Sequence, residues 1–178
     1  MSDPLKPDIK AAIESLTHAI EADLGKARAK ATSATARLTE GLRSEVTGPK
    51  GERIVTDMPP AMGGEGSSPN PGWYLRAAMA SCTTSVIAMH AAKRGIKLDS
   101  LEVTVESEGD NRGILGMDEE VSAGYSELRM KVKIASSSAT EAELRDLTEF
   151  AEAHSPVGCT IERSPPRSLA VEVVKSRP

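Results

Sequence analysis

Cys82 and Cys159 are the only cysteines in this 178-residue chain, and a thiol is the one nucleophile its sequence sets in a distinctive context. Their wide separation excludes a CxxC redox or zinc motif, and two cysteines cannot build a disulfide framework. A thiol can act in two ways here: as a small hydrophobe filling a core, or, once ionised, as a nucleophile. Cys82 lies within the Ala-rich run from Pro71 to Arg94, closed by Gly95. At 100° per residue its helical neighbours are Leu75, Ala78, Met79, Ser85, Val86 and Met89, an apolar face. On that face it reads as core filling unless a cation reaches it from elsewhere in the fold. Cys159 follows Ser155-Pro156, which resembles an N-cap and a first-turn proline. A helix start favours negative charge and gives Cys159 a local reason for reactivity; a cysteine filling a turn is the alternative.

The remaining candidate groups are less informative. His90 falls eight residues beyond Cys82, hence ~12 Å along the axis and ~80° around it, so it is no base for that thiol. His18 and His154 read as exposed or capping residues. Three dispersed histidines, without HExxH or clustered cysteines, do not suggest a metal site. Gly63-Gly64-Glu65-Gly66 precedes a helix but lacks the lysine of a phosphate-binding loop, and reads as a flexible loop. Asp118-Glu119-Glu120 reads as a solvated turn.

Elements that must position these groups follow from periodicity. Residues 7–31 carry Ile9, Ala12, Ile13, Leu16, Ile20 and Leu24 at helical spacing, a narrow stripe suited to packing on the body or on a second subunit. Strands are expected over 34–47 and 52–57, flanking the hairpin signal Gly48-Pro49-Lys50-Gly51. Asn70 is a good N-cap for the Cys82 helix, with Pro71 at its first position. Strands then alternate over 100–108 (Leu101, Val103 and Val105 inward) and 125–135 (Leu128, Met130, Val132 and Ile134 inward). An irregular excursion, 110–122, separates them. A second long helix spans 140–153 with Ala142, Leu144, Leu147, Phe150 and Ala151 inward, its start lacking a full capping box. A last strand, 168–174, closes the domain. This order predicts an α+β fold with antiparallel strands rather than a doubly wound sheet.

Composition sets the outer limits. Hydrophobic residues at 39% and charged residues at 27% fit a soluble globular chain of one body, here an N-terminal helical extension (1–33) and a main domain (34–178). A net charge of −4 gives no electrostatic reason to expect nucleic acid or a membrane surface as partner. No apolar stretch approaches a membrane span, and the N-terminus lacks a signal-peptide core, so a cytoplasmic location is expected. With aromatics at 2%, the core must come from small and aliphatic side chains, which favours close helix packing.

Several short motifs, in this order, resemble the OsmC/Ohr family (osmotically inducible protein C and organic hydroperoxide resistance protein). They are Gly63-Gly64-Glu65-Gly66, Pro69-Asn70-Pro71, Ala77-Ala78-Met79-Ala80-Ser81-Cys82-Thr83-Thr84, Arg94-Gly95-Ile96, Asp110-Asn111-Arg112-Gly113-Ile114-Leu115-Gly116 and Ser155-Pro156-Val157. The resemblance implies an OsmC-like fold, with two long central helices wrapped by antiparallel strands in an intertwined homodimer. It implies a thiol-dependent peroxidase acting on organic hydroperoxides in oxidative-stress defence, needing no cofactor or metal. Cys82 matches the family's peroxidatic cysteine. Cys159 is a candidate resolving cysteine, Arg43 a candidate thiolate stabiliser with Arg53 as its competitor, and the reductant a small dithiol or a lipoylated partner.

Two positions depart from the family pattern. Gly72 stands where the family has a glutamate, and Ser155 where it has the resolving cysteine. Those departures favour a second reading, a non-catalytic OsmC-like dimer binding a small apolar ligand in its inter-subunit crevice. A purely structural dimer is the third.

Overall fold

The computed structural model describes residues 8–175. The N-terminal stretch forms α1 (Ile9–Ala22), whose first turn is capped by Asp8 accepting the Ala11 N–H. It ends well before residue 31, because Asp23 adopts extended backbone and its carboxylate caps a 3-10 turn, Leu24–Ala27. Residue 7, the first of the expected helix, lies outside the described residues.

The single strand expected over 34–47 is two, β1 (Thr35–Glu40) and β2 (Arg43–Thr47). The chain reverses at Gly41, whose φ of +53° is tolerated best by glycine. The Gly48–Gly51 signal does form a hairpin, leading into β3 (Arg53–Thr56), and the three strands make one antiparallel sheet. The second long element, α2 (Pro71–Arg94), has the predicted bounds. Asn70 accepts the Trp73 N–H at 2.8 Å, and Gly95 closes the helix.

After α2 come β4 (Ser100–Gly109), the short α3 (Asn111–Ile114) and β5 (Tyr125–Ala135). β4 and β5 pair antiparallel with Leu101, Val103 and Val105 opposite Ile134, Val132 and Met130, so the predicted inward faces coincide. α4 (Glu141–Ala153) starts with a complete capping box, Thr140 with Glu143, rather than the incomplete one expected, because Thr140-Glu141-Ala142-Glu143 has the required spacing. Next comes α5 (Pro156–Arg163), capped by Ser155.

The core is a seam between α2 and α4. Val86, Ile87 and Ala91 meet Leu144, Leu147 and Ala151, with Cys82 and the inner face of β4 and β5 packed around them. The architecture is α+β with antiparallel sheets, as expected. Two expected core residues of α4 are not in that seam: Ala142 is exposed, and Phe150 lies outside it between the rings of His90 and His154. The expected strand over 168–174 is absent. An extended segment needs a free sheet edge; this one pairs with none, and Leu169 and Val173 stay 89% and 91% exposed. No helix among the described residues is long and apolar enough to cross a membrane.

Candidate active site

Cys82 sits at the edge of the α2 seam rather than at its centre. The most buried positions of the helix are Met79, Thr83, Val86, Ile87 and Ala91, while Leu75 and Met89, expected neighbours on the Cys82 face, are 37% and 42% exposed. The thiol itself is half-buried. Its polar neighbour is Ser155, a fully buried residue whose hydroxyl donates to the Cys82 Sγ at 3.3 Å. The same oxygen accepts the Gly158 N–H at 3.2 Å, so it both caps α5 and touches the sulfur. Pro156 at the first helical position fixes the chain direction there.

Cys159 lies one turn along α5, half-buried, and its thiol donates to the Ala153 carbonyl at 3.3 Å. Both cysteines are free thiols. Arg43, at the start of β2, donates to the Ser67 hydroxyl at 3.2 Å, and Arg53 pairs with Glu45 at 2.8 Å. Among the described residues no guanidinium hydrogen-bonds the Cys82 sulfur. The structure therefore brings Ser155 to Cys82, and leaves Arg43 and Arg53 with partners of their own.

On the adjoining face of α2, the fully buried Thr83 hydroxyl donates to the Glu152 carboxylate at 3.1 Å. This bond ties α2 to the last turn of α4, beside a cavity of about 650 Å³ lined in part by Met79, Met130, Val132 and Ile161. Periodicity gave no sign of it, since threonine scores as neither core nor site. Farther along, His90 and His154 flank Phe150, and Arg94 lies over the same ring. Burial, aided by Lys93, His154 and Arg94, holds the His90 imidazole below its ordinary pKa.

The glycine-rich loop is organised from within. Asp57, only 2% exposed, accepts the N–H groups of Met58, Glu65 and Ser67 and the Ser67 hydroxyl, at 2.8–3.2 Å. The Ser67 backbone N–H contributes most to holding its carboxyl below the usual range. A carboxylate from the chain itself thus takes the donors that a phosphate would need, which replaces the flexible-loop reading with a fastened one. Ser67 also accepts from Arg43, so the β2 arginine, the loop and the approach to α2 form one connected network.

The profile of OsmC-like proteins matches residues 64–170, more than half of the chain and spanning α2, both central helices' contacts and Ser155. The chain belongs to the OsmC family. Solved structures with the same fold include an organic hydroperoxide resistance protein from Legionella pneumophila, 24% identical over 75% of this chain and 90% of that one, with a TM-score of 0.57. An OsmC-like protein from Mycoplasma pneumoniae is 18% identical, covering 76% and 89% of the two chains at a TM-score of 0.65. An organic hydroperoxide resistance protein from Elizabethkingia anophelis is 23% identical over 75% and 89%, at a TM-score of 0.59. At such identities the likeness is one of fold. No curated protein matches the sequence. No group of three or more His, Cys, Asp or Glu residues suited to a metal occurs among the described residues.

Proposed function

We propose that this OsmC-family protein is a thiol-dependent peroxidase that reduces organic hydroperoxides through Cys82. The observation that carries the reading is the buried Ser155 hydroxyl donating to the Cys82 sulfur at 3.3 Å, on a helix whose thiol edge is accessible. A hydroxyl donating to sulfur strengthens when the sulfur is ionised, so it favours the nucleophilic form. The Cys82 thiolate attacks the distal oxygen of the hydroperoxide, the O–O bond breaks, and the alkoxide leaves and takes up a proton as the alcohol. Cys82 is left as a sulfenic acid. A dithiol then attacks that sulfur, water departs, and the second thiol of the reductant releases Cys82 with formation of the reductant's disulfide.

Resolution falls to this external dithiol, because Ser155 stands where the family has its resolving cysteine and the Cys159 thiol is turned to Ala153. The reading includes a homodimer. Gly72 precedes Cys82 by ten residues of α2, ~15 Å of rise, too far for groups around it to reach their own sulfur, and the homodimer reading gives them that of a second copy. Arg43, bound to Ser67 in its own chain, takes its stabilising role in the same way. The exposed 168–174 segment and a core of small extent give a second copy surface to cover. Residues 1–33 form an extension to this body.

The test is dithiol-dependent consumption of cumene hydroperoxide and hydrogen peroxide by the wild type, Cys82→Ser and Cys159→Ser. Expected are organic peroxide turnover lost in Cys82→Ser and kept in Cys159→Ser. A wild type no faster than Cys82→Ser would remove the peroxidase reading. It would leave the second one, a dimer binding a small apolar ligand, which the engaged Arg43 and Arg53 and the glycine at position 72 favour.

A further inference from the structure

Cys82 is followed in α2 by Thr83, Thr84 and Ser85, and only the first of these hydroxyls reaches outside its own helix. Thr84 and Ser85 donate back to the Ala80 and Ser81 carbonyls at 2.8 and 2.9 Å, a common local arrangement for such side chains in a helix. Thr83, fully buried, instead donates across the seam to the Glu152 carboxylate at 3.1 Å. The main-chain carbonyl of the same glutamate accepts the Ser155 N–H at 3.1 Å. One residue therefore holds the neighbour of Cys82 with its side chain and the partner of the Cys82 sulfur with its backbone.

The corner that carries Ser155 is bonded throughout. The last four carbonyls of α4, normally left without partners at a helix end, are all taken. Phe150 accepts from a His154 ring nitrogen at 2.7 Å, Ala151 from the His154 N–H, Glu152 from the Ser155 N–H and Ala153 from the Cys159 thiol. Gly158 adds a close approach. A Cβ there would lie 3.2 Å from the Glu152 carboxylate and 3.3 Å from the Ser155 hydroxyl, so glycine lets both oxygens stand over the first turn of α5. A corner bonded in this way is held as one body. Yet α5 fully buries none of its own residues, so apolar packing does little to fix where it sits on α2. Two polar ties do so instead, Ser155 to Cys82 and Glu152 to Thr83. Sulfur is a weak acceptor and a carboxylate a strong one, so the second tie governs the first.

We propose that Glu152 is a positioning residue for the Cys82 site: through Thr83 it fixes the Ser155 hydroxyl on the Cys82 sulfur. The role rests on the peroxidase reading of Cys82, in which that hydroxyl favours the thiolate. All of these groups belong to one chain, and Thr83 and Ser155 are fully buried within it, so the clamp needs no second copy.

The test is a mutant cycle read on the thiol of the full-length protein. A Cys159→Ser background leaves one cysteine to report. The pH midpoint of Cys82 alkylation by iodoacetamide is measured with and without Ser155→Ala, in the parent and in Thr83→Val, Glu152→Leu and Glu152→Gln. The quantity compared is the shift caused by Ser155→Ala, in which the direct effect of the glutamate's charge cancels. In the parent that shift is expected to be upward by about 1 pH unit, as for one hydrogen bond to a charged group. It should fall to about a third or less in Thr83→Val and Glu152→Leu, which cut the tie. It should persist in Glu152→Gln, which keeps an acceptor for Thr83. A glutamate that served only the packing would lower Tm in Thr83→Val and leave the shift at full size. A full shift in either tie-cutting variant, no shift in the parent, or its loss in Glu152→Gln would overturn the proposal. The two cuts come from opposite ends of the bond, so one folded variant decides. Alkylation involves no peroxide, so the expected shifts in a protein without peroxide turnover would remove the peroxidase reading and keep the clamp.

Discussion

Replacing Ser155 with cysteine converts the closest contact of Cys82 into a covalent test of the site. The Ser155 oxygen already lies 3.3 Å from the Cys82 sulfur, and a sulfur in its place must close to the ~2.05 Å of a disulfide. Under oxidation, Ser155→Cys should form a Cys82 bridge across a separation of 73 residues. In the chain-entropy model, a loop of that length removes about 4 kcal/mol of freedom from the unfolded chain. Loss of the serine N-cap of α5 costs about 1 kcal/mol, leaving about 3 kcal/mol of net stabilisation. Between the reduced and oxidised forms of the variant, which both lack that cap, the full about 4 kcal/mol of the bridge corresponds to a Tm rise of about 8–16 °C for a chain of this size.

The assay is thiol counting and peptide mapping before and after diamide treatment, with Tm measured on both forms. Both wild-type thiols are free, so the variant should start with three titratable groups and finish with one, the mapped bridge joining positions 82 and 155. Three thiols persisting after oxidation would refute the apposition of α2 and α5. A bridge to Cys159 instead would show that α5 turns by one helical step, and would return the resolving role to Cys159.

Three further outcomes follow from other parts of the fold. Thr83→Val keeps the shape of a fully buried side chain but removes the donor to Glu152, and should cost about 1–2 kcal/mol, a Tm drop of about 2–8 °C by calorimetry. Asp57→Asn turns one acceptor into a donor facing the Glu65 and Ser67 N–H groups, so it should loosen the 58–67 loop to proteolysis. Because the folded Asp57 pKa is depressed, its stabilisation is present above the ordinary carboxylate value near 3.8 and is lost as pH falls through the folded value. The Tm gap between wild type and Asp57→Asn should therefore narrow on going from pH 7 toward pH 3. His90 is also depressed, so between its ordinary value of 6.5 and its folded value the unfolded chain binds more protons and stability falls as the pH is lowered. Urea midpoints at pH 7.5 and 5.5 should show a smaller drop in His90→Gln than in the wild type.

What periodicity and capping chemistry encode locally was legible in the sequence. Asn70-Pro71 and Gly95 delimit α2 because each end is specified by residues within one turn. The faces of β4 and β5 were readable because alternation reports burial on one side of a pair. The 168–174 segment alternates just as well, yet alternation specifies which side chains would be buried, not whether an edge is available to bury them. Asp57 was missed for a related reason. A carboxylate collected by three donors from a loop eight to ten residues on leaves no periodic trace.

The two departures from the family pattern show the same limit at the site itself. As letters, Gly72 and Ser155 are losses, of an acid and of a thiol. In three dimensions each position carries a hydroxyl: Ser155 supplies its own to the Cys82 sulfur, and Gly72 makes room for that of Tyr125. A hydroxyl can donate as well as accept, whereas an ionised glutamate only accepts. Around Gly72 that hydroxyl is held by Arg76, which donates to it at 3.2 Å. At Ser155 the exchange keeps a polar contact with the sulfur. On the peroxidase reading proposed above, a chain altered in both places uses its thiol with an external reductant. Those contacts follow from two specific positions, and substitution at either one tests them separately.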